Sequence, residues 1–211
     1  MFNEWFGQSN IDENKTKINH REAVRAIIIE DNQILMVHSN LGDFKFPGGG
    51  VEDHESHAEG LIREVAEETG FFSIVGDKMG VVIERHLDDY DEEAIFQMTS
   101  HYYLCELMGE EVVQQLDDYE FEQEYTPKWV DLDEAIKQNQ GIINQCEENV
   151  WIHRENFVLK ELKKSWCRSK YNKEKKENGS SIEMIRRKYR CNIKNDQTLF
   201  DRFNHSFFYN V

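Results

Sequence analysis

A chain of 211 residues that is 39% hydrophobic and 31% charged can bury one sizeable core and a small appendage, so a single main domain is expected. No run of about 18 apolar residues is present to span a membrane, and the opening MFNEWFGQSNIDENKTK lacks a basic start followed by an apolar stretch, which points to a soluble protein without a targeting segment. The net charge of −16 is unevenly spread: residues 160–211 hold 14 Lys+Arg against 6 Asp+Glu, a balance of +8, leaving −24 on residues 1–159, and so acidic a front needs cations to hold any ligand that carries phosphates.

In chain order, residues 1–20 are polar and read as an N-terminal arm or short helix. AVRAIII (residues 23–29) and ILMVHS (34–39) are β-branched, apolar runs on either side of a turn-forming Asp31-Asn32, which predicts a hairpin. DFKF (43–46) is a third short strand, entering Pro47 and three glycines. A helix is expected after the glycines, then strands over MGVVIERHL and AIFQMTSHYYLCEL, the second long and aromatic. PKWVDLDEAIKQN reads as a strand entering a helix capped by Asp131 or Asp133. A last helix spaces Val150, Trp151, Phe157, Val158 and Leu162 to pack on the sheet. After Trp166 the chain turns highly charged and ends that stretch in Asn-Gly-Ser-Ser, so residues 167–211 read as a basic, partly aromatic C-terminal extension in which Leu199, Phe200, Phe203 and Phe207 recur at helical spacing. Cys105, Cys146, Cys167 and Cys191 are widely spaced with no CxxC pair, which argues against a zinc site or disulfide framework and for a reducing cytoplasm.

The helix after the glycines carries the chemistry. Ser56 followed by Glu59 is a capping box and Gly70 is a helix terminator, bounding a helix from about His57 to Thr69. At 3.6 residues per turn Ala58, Leu61, Ile62 and Val65 form an apolar stripe, while Glu64, Glu67 and Glu68 share about 100° of arc on another face. Gly60 lies over that acidic face, although a helix-interior glycine costs about 1 kcal/mol relative to alanine, as if something needs the room. Like charges so placed repel and raise one another's pKa, and a divalent cation would neutralise them. Hard oxygen donors favour Mg2+, or Mn2+, shared between carboxylates and a substrate's phosphates, with the bare glycine loop letting backbone groups approach.

Gly49, five residues, Glu55, seven residues, and then Arg63-Glu64-Val65-Ala66-Glu67-Glu68-Thr69-Gly70-Phe71 match the Nudix box at all nine defined positions, so the chain resembles a Nudix hydrolase over roughly residues 21–166. The resemblance implies an α/β/α sandwich, an α+β fold with a mixed sheet between helices. It implies hydrolysis of a nucleoside diphosphate linked to another group. Glu64, Glu67 and Glu68 would then hold the metal, joined by a Gly48 or Gly49 carbonyl, with Arg63 holding a carboxylate and Glu55 an outer, structural acid. Family members often carry a further proton acceptor or metal ligand before the late tryptophan strand; in DDYEFEQEYTPKW, Glu120, Glu122 and Glu124 are candidates that alternation puts on one side if the segment is extended, Glu122 or Glu124 is favoured by distance to Trp129, and a flexible acidic loop is the other reading. Phe46 and Tyr103, with Phe96 and Tyr102, lie near the expected cleft, either as stacking partners for a base or sugar or as core and sheet-surface residues. A nucleotide-type small molecule is the expected partner, neither membrane nor nucleic acid is, and a homodimer is left open. The alternative is a Nudix-fold nucleotide sensor whose basic tail touches nucleic acid, but such a module would be expected to lose box carboxylates. Isoprenoid diphosphate isomerisation would need a cysteine context that Cys105 lacks.

Overall fold

The computed structural model describes residues 1–7, 17–145 and 150–173. The expected apolar positions Leu199, Phe200, Phe203 and Phe207 lie outside the described residues. Met1–Cys167 form one compact unit; of Arg168–Val211, residues 168–173 are described, as the end of the last helix.

Strands β1 (Phe2–Gly7), β2 (Lys17–Glu30), β3 (Gln33–His38) and β4 (Phe44–Lys45) precede helix α1 (His57–Thr69). Strands β5 (Phe71–Leu87) and β6 (Ala94–Glu111), a short helix α2 (Asp118–Glu122), β7 (Thr126–Asp131), α3 (Leu132–Ile143) and α4 (Val150–Lys173) follow. The seven strands form one mixed sheet in the order β1-β5-β6-β2-β3-β4, with β7 joining on β3. The expected hairpin joins β2 to β3 through Asp31 and Asn32, at φ 46° and 66°. Both turn residues sit in the left-handed region that a two-residue hairpin requires and that Asp and Asn tolerate. Asp131 is the α3 cap, its side chain accepting from the Asp133 N–H.

Alternation along β2 and β3 divides the core between two faces. Val24, Ala26, Ile28 and Leu35 pack with Leu61 and Val65 of α1. Ile27, Ile34 and Met36 turn to the opposite face, where Ala135 of α3 and Val158, Leu159 and Leu162 of α4 cover them. The sheet therefore lies between helices, the mixed α+β sandwich expected.

Residues 1–20 correct the expectation of an arm or short helix. Phe2–Gly7 pair in parallel with Gly80–Arg85, and β2 is already under way at Lys17. Phe2 and Phe6 stand edge-on to Phe157 of α4, with ring centroids 6.2 and 5.8 Å away, so the segment adds both hydrogen bonds and apolar cover to the β5 edge.

Two helices hold the short β4 in place. Asn139 of α3 pairs with Phe44 through both backbone groups, at 2.9 Å each. Glu155 of α4 accepts the Phe46 N–H at 3.0 Å. Glu155 occupies the buried stripe of α4 beside Ile152, Val158, Leu159 and Leu162, and it is tolerated there because Arg154 donates to it at 2.7 and 3.0 Å while also meeting Glu84 of β5. Removing one partner of so buried a set leaves an uncompensated charge, at a cost of roughly 3–5 kcal/mol. Among the described residues no helix is long and apolar enough to cross a membrane.

Candidate functional site

The capping box forms as expected: Ser56 Oγ accepts from Glu59 N–H, and the Glu59 carboxylate accepts from Ser56 N–H at 2.9 Å. Gly70, at φ 75°, closes the other end of α1. Helix geometry then turns Glu64 and Glu68 under the glycine loop, where they are 9% and 4% exposed. Glu68 Oε2 accepts the Gly48 N–H at 2.6 Å. A Cβ on Gly49 would overlap the Glu64 carboxylate, and a Cβ on Gly60 would come within 2.7 Å of Glu55 Oε1. Both glycines thus make room for acids, and the room foreseen at Gly60 belongs to Glu55. Arg63 binds Glu55 in a two-point contact at 2.7 and 3.1 Å and also donates to Glu64 Oε1 at 2.8 Å, Glu67 Oε2 at 3.0 Å and the Gly50 carbonyl at 3.1 Å. One guanidinium therefore ties the loop, the outer acid and the helix carboxylates together.

A third carboxylate arrives from α2. Asp117 caps that helix, and Glu120, in its first turn, brings a carboxylate oxygen to within 4.8 Å of donor oxygens of both Glu64 and Glu68. Here the preference for Glu122 or Glu124 is corrected, because the segment forms a short helix where extension or a loop was expected. Glu122, two residues past Glu120 and about 200° around the helix, points elsewhere, and Glu124 is an exposed residue with φ 53°. Lys45 pins α2 on either side of Glu120: its Nζ donates to Tyr119 Oη at 3.2 Å, Gln123 Oε1 at 3.0 Å and Tyr125 Oη, and lies 4.5 Å from the Tyr125 ring centroid and 4.6 Å from that of Trp151.

Electrostatics at the cluster follow from burial and like charge. Burial pushes the Glu64 carboxyl upward, with Arg63 offsetting part, and pushes Glu68 up much further. Glu120 is also raised, first by burial and then by Asp117 and Glu64. Glu67 is raised by burial while Arg63 opposes. Glu55 goes the other way: burial alone would raise it, but hydrogen bonds from Arg63 and the Glu52 N–H hold it below the usual carboxylate range. Burial holds the three converging carboxyls above their ordinary pKa, and a bound cation, by favouring their charged forms, would bring them down again. An all-oxygen donor set of that kind fits a hard divalent cation such as Mg2+ or Mn2+.

The remaining expected residues divide. Gly48 and Gly49 border the cluster, but the Gly49 carbonyl already accepts from Val24 N–H at 2.9 Å and the Gly48 carbonyl from Arg25, leaving each one lone pair. Glu67 stands beside the cluster, bound to Arg63. Phe46 is fully buried, edge-on to Tyr102 at 5.4 Å, so it has no face for a base; its role is packing. Tyr103 is half-buried with its hydroxyl 2.9 Å from His57 Nδ1. The sequence reading missed Arg25, the lone cation in the apolar β2 run, and Lys45. It weighed Glu120 without favouring it, although Asp117 with Glu120 three residues on carries the same capping pattern that located α1.

The NUDIX domain family model matches residues 19–148. An ADP-ribose pyrophosphatase from Methanocaldococcus jannaschii is 41% identical over 63 residues, which are 28% of this chain and 37% of that protein, so the match spans well under two thirds of the relative's length. Among solved structures, a NUDIX hydrolase from Nitrosomonas europaea aligns with a TM-score of 0.46 at 20% identity, over 58% of this chain and 79% of its own. An ADP-ribose pyrophosphatase from Streptococcus suis aligns with a TM-score of 0.40 at 23% identity, over 54% and 75%.

Proposed function

The chain belongs to the NUDIX family, and from that premise we propose that it hydrolyses a phosphoanhydride bond in a nucleoside diphosphate linked to a second group, using Mg2+ or Mn2+. The observation that carries this reading is the convergence of Glu64, Glu68 and Glu120 beneath the Gly48-Gly49 loop.

On this reading Glu64 and Glu68 would hold the metal, with the Gly49 carbonyl's remaining lone pair available and the Glu120 carboxylate facing them. When bound, the ion polarises phosphoryl oxygens, lowers the pKa of an attacking water and neutralises the departing phosphate. The chain's own groups provide placement. Arg63 fixes Glu64 and Glu67 in one orientation, and Gly48 N–H does the same for Glu68. Arg25, bound to the Gly48 carbonyl, sets positive charge beside the carboxylates and so counters their repulsion of an anionic substrate. Glu120, on its own short helix, is the carboxylate placed to accept the proton of the attacking water, the role that the sequence assigned to Glu122 or Glu124. The water oxygen bonds to phosphorus as the anhydride oxygen leaves with its electron pair, and the proton is held on a Glu120 carboxylate oxygen. Positioning and charge stabilisation supply most of the rate. A cytoplasmic location agrees with the buried free thiol of Cys105.

The test is a panel of ADP-ribose, a dinucleoside polyphosphate, an oxidised nucleotide and a capped RNA, incubated with Mg2+ or Mn2+ and resolved by chromatography. ADP-ribose heads the panel because of the M. jannaschii relative's name. Cleavage of one compound to two phosphate-bearing products, abolished by EDTA, is expected. Undiminished turnover in thoroughly chelated protein would remove the metal assignment, and binding of a nucleotide without cleavage would favour the sensor.

A further inference from the structure

A second group of metal-ligating side chains lies outside the carboxylate cluster. Glu22 of β2, His57 at the start of α1 and His101 of β6 bring one ligand atom each to within 4.8 Å of one another. Glu22 Oε2 is 2.8 Å from His57 Nε2, and Glu22 Oε1 is 3.8 Å from His101 Nε2. His101 is 8% exposed, and its Nε2 is a buried nitrogen with no hydrogen-bond partner, since 3.8 Å is too long for one. Ligand atoms around a tetrahedral Zn2+, with bonds of about 2.0–2.1 Å, stand roughly 3.3 Å apart; through its two oxygens Glu22 stands 2.8 Å from one imidazole nitrogen and 3.8 Å from the other, within about half an ångström of that spacing.

We propose that Glu22, His57 and His101 form a second metal site that takes a Zn2+-class transition ion, with a fourth position open to solvent beside the exposed Glu22. Two imidazoles and one carboxylate suit such an ion, whereas the all-oxygen cluster suits Mg2+. The outer contacts also fit. His57 Nδ1 is 2.9 Å from Tyr103 Oη, which can accept an Nδ1 proton once the metal takes the Nε2 lone pair. Binding displaces the Nε2 proton now shared with Glu22, either to Nδ1 or to solvent. One contact opposes the site. Lys78 Nζ is 2.8 Å from His101 Nδ1 and, as an ammonium, donates to it, which forces the proton onto Nε2. Metal binding therefore requires the half-buried Lys78 to swing aside, so that Nδ1 can take the proton. The ion would join β2, β6 and the start of α1, next to the Val51 N–H that donates to the Glu22 carbonyl at 3.0 Å as the chain leaves the glycine loop.

This proposal is independent of the hydrolytic reading, and its test separates the two. Chelator-stripped full-length protein is titrated with Zn2+ in excess Mg2+, and with Co2+, whose visible absorption reports imidazole ligation. The expected result is one Zn2+ per chain retained in the Glu64→Gln/Glu68→Gln double variant, weakened at least about tenfold in His57→Gln, and tightened several-fold in Lys78→Met. A purely structural hydrogen-bond network offers no reason for Lys78→Met to tighten the metal. His57 is partly exposed, so its variant keeps the fold, whereas His101 is buried and its replacement would confound folding with binding. Zn2+ affinity unchanged in both His57→Gln and Lys78→Met, or lost with Glu64→Gln/Glu68→Gln, overturns the assignment.

Discussion

Replacing Glu68 by glutamine, with Glu59→Gln as a matched control on the same helix, separates a metal ligand from a helix charge. Glu68 shares its surroundings with Glu64 and Glu120, whose donor oxygens lie within 4.8 Å. At an effective dielectric of about 20, two full charges at that distance repel by about 3 kcal/mol. Burial already moves these carboxyls toward their protonated forms, so the relief on removing one charge without metal is smaller than that. For a unit of this size each ~1 kcal/mol of relief raises the unfolding midpoint in EDTA by roughly 2–4 °C. The glutamine oxygen can still accept the Gly48 N–H, so the loop keeps its anchor. With metal the sign reverses: wild type gains stability by binding, while Glu68→Gln gains little. The rate should fall by about two to three orders of magnitude, the scale of losing a major charge-stabilising contact. Glu59 serves the capping box, and glutamine fills that role, so Glu59→Gln should match wild type in rate and melting. The measurements are initial rates at saturating Mg2+ and thermal unfolding with Mg2+ and with EDTA. Equal rates in the two variants would mean that the acids are a solvated face, and a lower midpoint for Glu68→Gln in EDTA would refute the repulsion argument.

Glu120→Gln should lower the rate at least about tenfold while Glu122→Gln and Glu124→Gln stay near wild type; the reverse order would return the catalytic role to the residues favoured from sequence. Gly49→Ala should displace the Glu64 carboxylate and raise the Mg2+ concentration needed for half-maximal rate, and an unchanged metal dependence would show that the close approach is unimportant. Lys45→Met removes three hydrogen bonds to α2 and its flank and should cost about 1–3 kcal/mol together with weaker Mg2+ binding, read by chemical unfolding and metal titration. Loss of stability with intact metal affinity would make Lys45 a packing residue only.

The acidic face of α1 was legible because both ends of that helix are chemically marked and 3.6-residue periodicity does the rest. The β2–β3 hairpin was legible for a similar reason, Asp31-Asn32 being a local turn code. Residues 2–7 were not: Phe2 and Phe6, four apart, satisfy helical and strand periods alike, and the decision comes from the β5 edge 78 residues away. Glu120 was obscured by alternation with Glu122 and Glu124, which suggested an extended segment, although the local Asp117–Glu120 cap decides for helix. Phe46 illustrates the limit of composition, since an aromatic beside a glycine loop reads the same whether it faces a ligand or a core, and only the tertiary core that includes Tyr102 settles the matter by burying it. Lys45 escaped because its partners, Tyr119, Gln123, Tyr125 and Trp151, are gathered by tertiary folding alone.

The bond from Phe46 N–H to Glu155, spanning 109 residues, also has a meaning in time. At a synthesis rate of about 5–20 residues per second, on the order of 5–20 s separate the emergence of the glycine loop from that of the carboxylate that holds it. For most of that interval β4 lacks both its helical anchors, Asn139 and Glu155, and until Glu155 is made the growing chain displays its glycines without their full support. Docking of α4 must bring Glu84, Arg154 and Glu155 out of water in a single event, because any one of them alone would be a stranded charge. Assembly of the loop is thereby deferred until most of the Met1–Cys167 unit has been made, and a nascent chain interrupted before residue 154 carries every acid of the cluster without the clasp that sets the loop above them.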